Sequence, residues 1–283
     1  MRITLRSMAS LVAEVRPTHK RFAMPAKLFD MNLRAMRRDR AARLGPELFL
    51  YERVFADCLE RIELMQRRFR RALLIGCPGP AWRERLRAVA DEVEAFDPGP
   101  LFAAALNARA VVEDRWEPEA GRFDLVLALA TLDSVNDLPR ALLAIRFALA
   151  GDGLVIGAFA GGETLPQLRF AMRAADEVAG SAVPHVHPRI EPGALTGLLS
   201  AAGFERPVVD VDRVAVSYPS LDRLVSDLRR MAATNLLCAR AQRSLSRQQW
   251  DAARAAFAEA GDGTRTIETF EIVHFAGWTP ADQ

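Results

Sequence analysis

The stretch that most constrains the fold is 72–99, ALLIGCPGPAWRERLRAVADEVEAFDPG. Four apolar residues, 72–75, run into a Gly/Pro-rich turn; a helical segment follows, and a second short strand, 93–96, ends on Asp97. That order predicts the first βαβ unit of a doubly wound α/β domain, whose parallel strands are buried on both faces and read as continuous apolar runs. An acid about 20 residues beyond the turn is where such folds accept the hydroxyls of a nucleotide ribose. The turn itself, at the head of a helix, brings backbone N–H groups to a ligand. Gly76 and Asp97 hold those two places. A simple Asp-Pro-Gly turn, with the carboxylate as a local cap, is the structural alternative for Asp97.

The alternation continues downstream. Strands are predicted at 110–112, 123–129 (FDLVLAL) and 154–159, with a helix over 138–150 that ends at Gly151-Asp152-Gly153. Helices follow over 165–179 and 192–202, then a strand over 208–216, helices over 221–232 and 246–260, and a last strand over 269–276. A strand that returns after a helical excursion reads as an antiparallel edge strand. The fold class is therefore α/β: a Rossmann-like, doubly wound, mostly parallel seven-stranded sheet with its last strand antiparallel.

Upstream, 28–44 reads as an amphipathic helix with an arginine-rich outer face, stopped by Gly45-Pro46. A second helix over 47–69 would carry Arg67, Arg68, Arg70 and Arg71 near its C-terminus, where the helix dipole favours positive charge. Both arginine clusters fit either a solvated face or a docking surface for an acidic partner. The chain thus divides into a basic arm without a fold of its own (1–26), N-terminal helices (27–71) and an α/β domain (72–283), with helical insertions at 163–203 and 219–260. The charge is uneven: 17 basic residues against 8 acidic over 1–71, and 21 against 28 over the remainder.

Cys58, Cys77 and Cys238 are odd in number and widely spaced, and read as reduced thiols in a cytoplasmic protein. No apolar run reaches the length of a membrane span. The arginines are not interleaved with aromatic residues, so no nucleic-acid partner is expected.

Several segments carry a resemblance. FDLVLALATLDSVNDLPRAL, LAGDGLVIGAF and AAGF resemble the fourth strand, the fifth strand and the approach to the sixth in class I S-adenosylmethionine (SAM) methyltransferases. GGETLPQLR (161–169), PHVHP (184–188), SYPS (217–220), Thr234-Asn235, FEIVHFAGW (270–278) and the opening KLFDMNL resemble the complex I assembly factor 5 group, of arginine hydroxylase type. That group is similar to the malonyl-ACP O-methyltransferases. The resemblance implies SAM as cofactor and a protein or carrier-bound acceptor. It leaves three readings open: a methyltransferase, an assembly factor of the hydroxylase type, and a non-catalytic chaperone that has lost the cofactor.

The resemblance also implies a site. In the family an acid, one residue and then Gly-x-Gly-x-Gly form the cofactor turn; here those positions are Leu74, Gly76, Pro78 and Pro80, with Gly79 displaced by one. Proline has no N–H and holds φ near −65°, so the turn is altered. Gly76, Cys77 and Gly79 would approach the amino-acid end of the cofactor, Asp97 the ribose, and Asp114 and Trp116 the adenine. Asp133-Ser134 replace the His-Trp pair of the subfamily, and Asp133, Glu163 and Tyr218 fall on the acceptor side. No catalytic residue is assigned. His185 and His187 form an H-x-H pair with only Glu163 as a nearby carboxylate, so no metal is expected.

Overall fold

In the computed structural model, which describes residues 27–76 and 78–281, two helices lead the chain, α1 (Met31–Leu44) and α2 (Phe49–Leu64). The α/β unit follows as β1 (Phe69–Ile75), α3 (Trp82–Leu86), β2 (Ala90–Asp97), α4 (Pro100–Ala105), β3 (Arg109–Ala110) and β4 (Phe123–Leu129). Next come α5 (Leu138–Ala148), β5 (Leu149–Ala160), α6 (Pro166–Ala179) and α7 (Pro192–Ala201). The chain ends with β6 (Glu205–Tyr218), α8 (Leu221–Arg230), α9 (Arg247–Glu259) and β7 (Thr266–Trp278).

The seven strands form one sheet in the order β3-β2-β1-β4-β5-β7-β6. β1 pairs in parallel with β2 (Ile75 opposite Phe96) and with β4 (Ile75 opposite Ala128), while β7 runs antiparallel to β5 and β6. Successive strand residues point to opposite faces, and both faces are covered. Leu74, Leu125, Leu127 and Ile156 pack with Phe55, Ile62 and Trp82 of α2 and α3. Leu73, Ile75, Val126 and Val155 pack with Leu142, Ile145, Leu195 and Leu199 of α5 and α7. Connections leave β1 and β4 in opposite directions, which opens a crevice at their C-terminal ends, the place where doubly wound sheets bind ligands.

Three expectations are corrected. The second helix stops at Leu64, Gln66 takes φ 51°, and Phe69–Arg71 already belong to β1. Phe69 is fully buried, and seating it starts the strand three residues early, so Arg70 and Arg71 are strand residues rather than a helix C-terminus. The last strand is antiparallel but not at the edge: β7 lies between β5 and β6. Finally, α1 does not turn all its arginines outward: Arg34 and Arg38 are buried while Met36 is 66% exposed. The basic arm (1–26) lies outside the described residues. Among the described residues, no helix is long and apolar enough to cross a membrane.

Candidate functional site

Arg34, Arg38 and Ala41 recur at helical spacing and form the inward face of α1. The helix is set by its start. The Asp30 side chain caps it by accepting from the Leu33 N–H (3.0 Å), the Asp30 N–H donates to the Leu236 carbonyl (2.9 Å), and Asn136 clasps the Phe29 backbone from both sides (2.9 and 3.0 Å). This holds α1 across the C-terminal ends of β2 and β4.

Two buried ion pairs result. Arg34 donates from Nη1 and Nη2 to the two oxygens of Glu113 (2.7 and 2.9 Å), from Nη2 to the Thr131 carbonyl (2.7 Å) and from Nε to Ser134 Oγ (3.1 Å). Arg38 donates from Nε to Asp97 Oδ1 (2.8 Å) and from Nη2 to Oδ2, and its guanidinium sits 5.4 Å from the centre of the Phe102 ring. Asp97, at the tip of β2, is wholly buried, and its Oδ1 also accepts the Gly99 N–H (2.7 Å). Both contacts are forked and charge-assisted, the stronger kind of hydrogen bond. Burial alone would push the Glu113 carboxyl up, but the charge and hydrogen bonds of Arg34 outweigh it and hold the group below its ordinary value. Burial alone would lower the Arg38 guanidinium, and Asp97 more than reverses that.

A third pair stands alongside: Arg189 Nη1 donates to Asp133 Oδ2, with the two side chains 5% and 13% exposed. His187 accepts the Leu236 N–H at Nε2 (2.8 Å) and meets Phe29 edge-on, 5.1 Å between ring centres. Burial, with Arg189 adding to it, pushes the imidazole down to about 4, so it is neutral near pH 7. Arg34, Arg38, Tyr51, Asp133, His187 and Arg189 line one cavity of about 100 Å³.

The remaining predicted residues fall in different places. Gly76 takes φ 78°, and a Cβ there would lie 2.1 Å from the Leu129 carbonyl oxygen, so the glycine serves the close approach of β1 to β4. A Cβ on Gly79 would strike the Trp82 ring at 2.3 Å. Cys77 lies outside the described residues. Asp114 is buried; its Oδ2 accepts the Asn136 and Asp137 N–H groups (3.0 and 3.1 Å), and its Oδ1 has no partner among the described residues. Trp116 packs edge-on against Phe96, 5.2 Å between centres. Glu163 is exposed and Tyr218 is buried in the separate cluster of α6, α8 and α9; neither lines the cavity that Asp133 lines.

With α1 in this position the residues do not fit SAM. Both Asp97 oxygens are held by Arg38, and Pro78 and Pro80 offer no N–H. Sequence patterning missed Arg34, Arg38 and Glu113. The one available signal was the 34, 38, 41 stripe, in a helix whose apolar residues form no competing stripe of their own.

The comparisons agree with this architecture. The family described as "Methyltransferase domain" matches residues 47–209. Arginine-hydroxylase NDUFAF5, mitochondrial, of Danio rerio is 30% identical over 298 aligned positions, covering 100% of this chain and 91% of that protein. The Homo sapiens NDUFAF5 protein is 32% identical over 275 positions, 89% of this chain and 76% of its own length. A malonyl-[acyl-carrier protein] O-methyltransferase of Laribacter hongkongensis is 30% identical over 162 positions, 57% of this chain and 53% of that protein. Among solved structures, the YcgJ protein from Bacillus subtilis superposes with a TM-score of 0.51 at 11% identity, over 80% of this chain and all of that one, which shows the fold alone. The sheet order, the crevice at the β1/β4 switch and similarity along the whole chain lead to one conclusion: this chain belongs to the methyltransferase-domain family, in the group that holds the NDUFAF5 proteins.

Proposed function

We propose that this protein is an NDUFAF5-type factor whose target is an arginine side chain of a partner protein. The observation that carries this is the matching of carboxylates to guanidinium groups at short range: Asp133 with Arg189 in the cavity wall, and Glu113 and Asp97 with Arg34 and Arg38, the two arginines that line the same cavity. A planar fork of N–H donors facing a carboxylate is the geometry that selects arginine over lysine.

The second half of the chain supports the same reading. His187 of PHVHP lines this cavity, and that segment is tied through Thr234-Asn235 to α1: Asn235 Nδ2 donates to the Pro184 carbonyl (2.7 Å), Arg40 donates to Thr234 Oγ1 (3.3 Å), and Arg37 donates to the Asn235 carbonyl. The NDUFAF5 similarity extends over this half, whereas the malonyl-ACP methyltransferase match covers 57% of the chain. A reducing, cytoplasmic setting belongs to the same proposal, since Cys58 and Cys238 are both free thiols.

Short blocked peptides that differ only in a central arginine or lysine test the reading, with binding followed by NMR shifts of the full chain. The arginine peptide should bind about tenfold tighter, and Asp133→Asn should remove that preference. Equal affinity for the two peptides would overturn the assignment.

A further inference from the structure

We infer that α1 is a built-in occupant of the cofactor place: Arg38 on Asp97 and Arg34 on Glu113 compete with the adenosine part of SAM. This does not depend on the identity of the protein target. A vicinal diol and the edge of a guanidinium present the same thing to a carboxylate, two donors side by side, so one can replace the other at Asp97.

Three observations support competition rather than simple loss. First, the turn after β2 is shaped to seat the helix: a Cβ on Gly99 would lie 2.7 Å from Arg38 Cβ. Second, the floor beneath α1 is intact. Asp97 stands at the strand tip, and Asp114 keeps one buried carboxylate oxygen without a partner among the described residues, although buried polar atoms are rarely left so. Third, besides the two ion pairs α1 is tied down by hydrogen bonds near its start. Arg34 bonds Ser134, Phe29 and Asp30 just before the helix bond Asn136 and Leu236, and Gly45, at φ 79°, followed by Pro46 joins it to α2. Lifting α1 releases two long cationic side chains into water, where they need no partner. The carboxylates left behind do need donors, and a ribose and an adenine amine supply them.

Calorimetric titration of SAM and of S-adenosylhomocysteine into the full chain tests this, together with hydrogen exchange of the 31–44 amides. If wild type spends most of its time closed, its apparent affinity is reduced by the open fraction. Arg38→Met should therefore bind either ligand at least about tenfold tighter than wild type. Where wild type is driven to saturation, the α1 amides should lose protection. If Arg38→Met does not fold, Arg38→Gln, which keeps one donor to Asp97, takes its place with the same expectation. Binding no tighter in the variant, including no binding in either protein, overturns the inference and makes the Pro78/Pro80 turn the reason for exclusion. Saturation of wild type with α1 still protected overturns it too. The arginine-peptide experiment reads Asp133 and is unaffected by either result.

Discussion

The two ends of the sheet carry the same chemistry in opposite surroundings. At the N-terminal end, Arg68 pairs with Asp91 and Arg71 with Glu92, and the Arg70 and Arg71 N–H groups donate to Asp124 (2.7 and 2.9 Å). At the C-terminal end, Arg38 pairs with Asp97 and Arg34 with Glu113. Side chains in the first set of ion pairs are 53–66% exposed, and those in the second are 8% exposed or less. Water screens the first set, so each pair contributes little and can be exchanged freely. In the second set each charge depends on its partner, because an unpaired ion in that position has no other source of solvation. A buried pair is thus weak support for net stability but a strong lock on arrangement, and here it locks a helix over the crevice.

The sharpest way to break this comparison is Asp97→Ala, which strands the Arg38 guanidinium. Urea denaturation should show a loss of about 3–5 kcal/mol. The double replacement Arg38→Met/Asp97→Leu should lose less than Asp97→Ala alone, because no charge is then left unpaired. A loss from Asp97→Ala as small as that of a surface pair would mean that water reaches this site.

A somewhat smaller effect is expected at His187. Its folded value of about 4 lies below the ordinary 6.5 because of burial, so between those limits the unfolded chain binds more protons. The contribution of neutral His187 is therefore complete above about pH 6.5 and declines as the pH falls toward 4, by up to about 3 kcal/mol. His187→Gln removes the titrating group, and the difference between the two stability–pH curves isolates its part. Parallel curves between pH 6.5 and 4 would show that the imidazole charges in place.

The smallest effect belongs to the exposed end. Arg71→Ala should shift stability by less than about 1 kcal/mol, and that shift should shrink with added salt. A larger, salt-independent loss would erase the distinction between the two edges.

The strands were legible because their signal is local. An apolar run bounded by turn residues declares itself, and 123–129 is the strand Phe123–Leu129. Where a boundary moved, a long-range contact moved it. Phe69 looked like the end of a helix and became the start of β1, because its N–H meets the Val89 carbonyl and its ring fills the core. Of the site, the position of Asp97 at the tip of β2 followed from the Asp-Pro-Gly turn. Its partner did not, and neither did the burial of Tyr218 away from the cavity.

The sequence by itself determined the alternation of strand and helix and the acid at the end of β2. These rest on periodicity and turn chemistry within a few residues of each position. Only the tertiary structure decided what that acid holds. Arg38 meets a carboxylate 59 residues further along, Arg34 one that is 79 residues further along, and Asp133 a guanidinium 56 residues away. A charged residue's type demands a partner if it is buried. Whether it is buried, and which partner it meets, depends on how helices and strands distant in sequence close over one another.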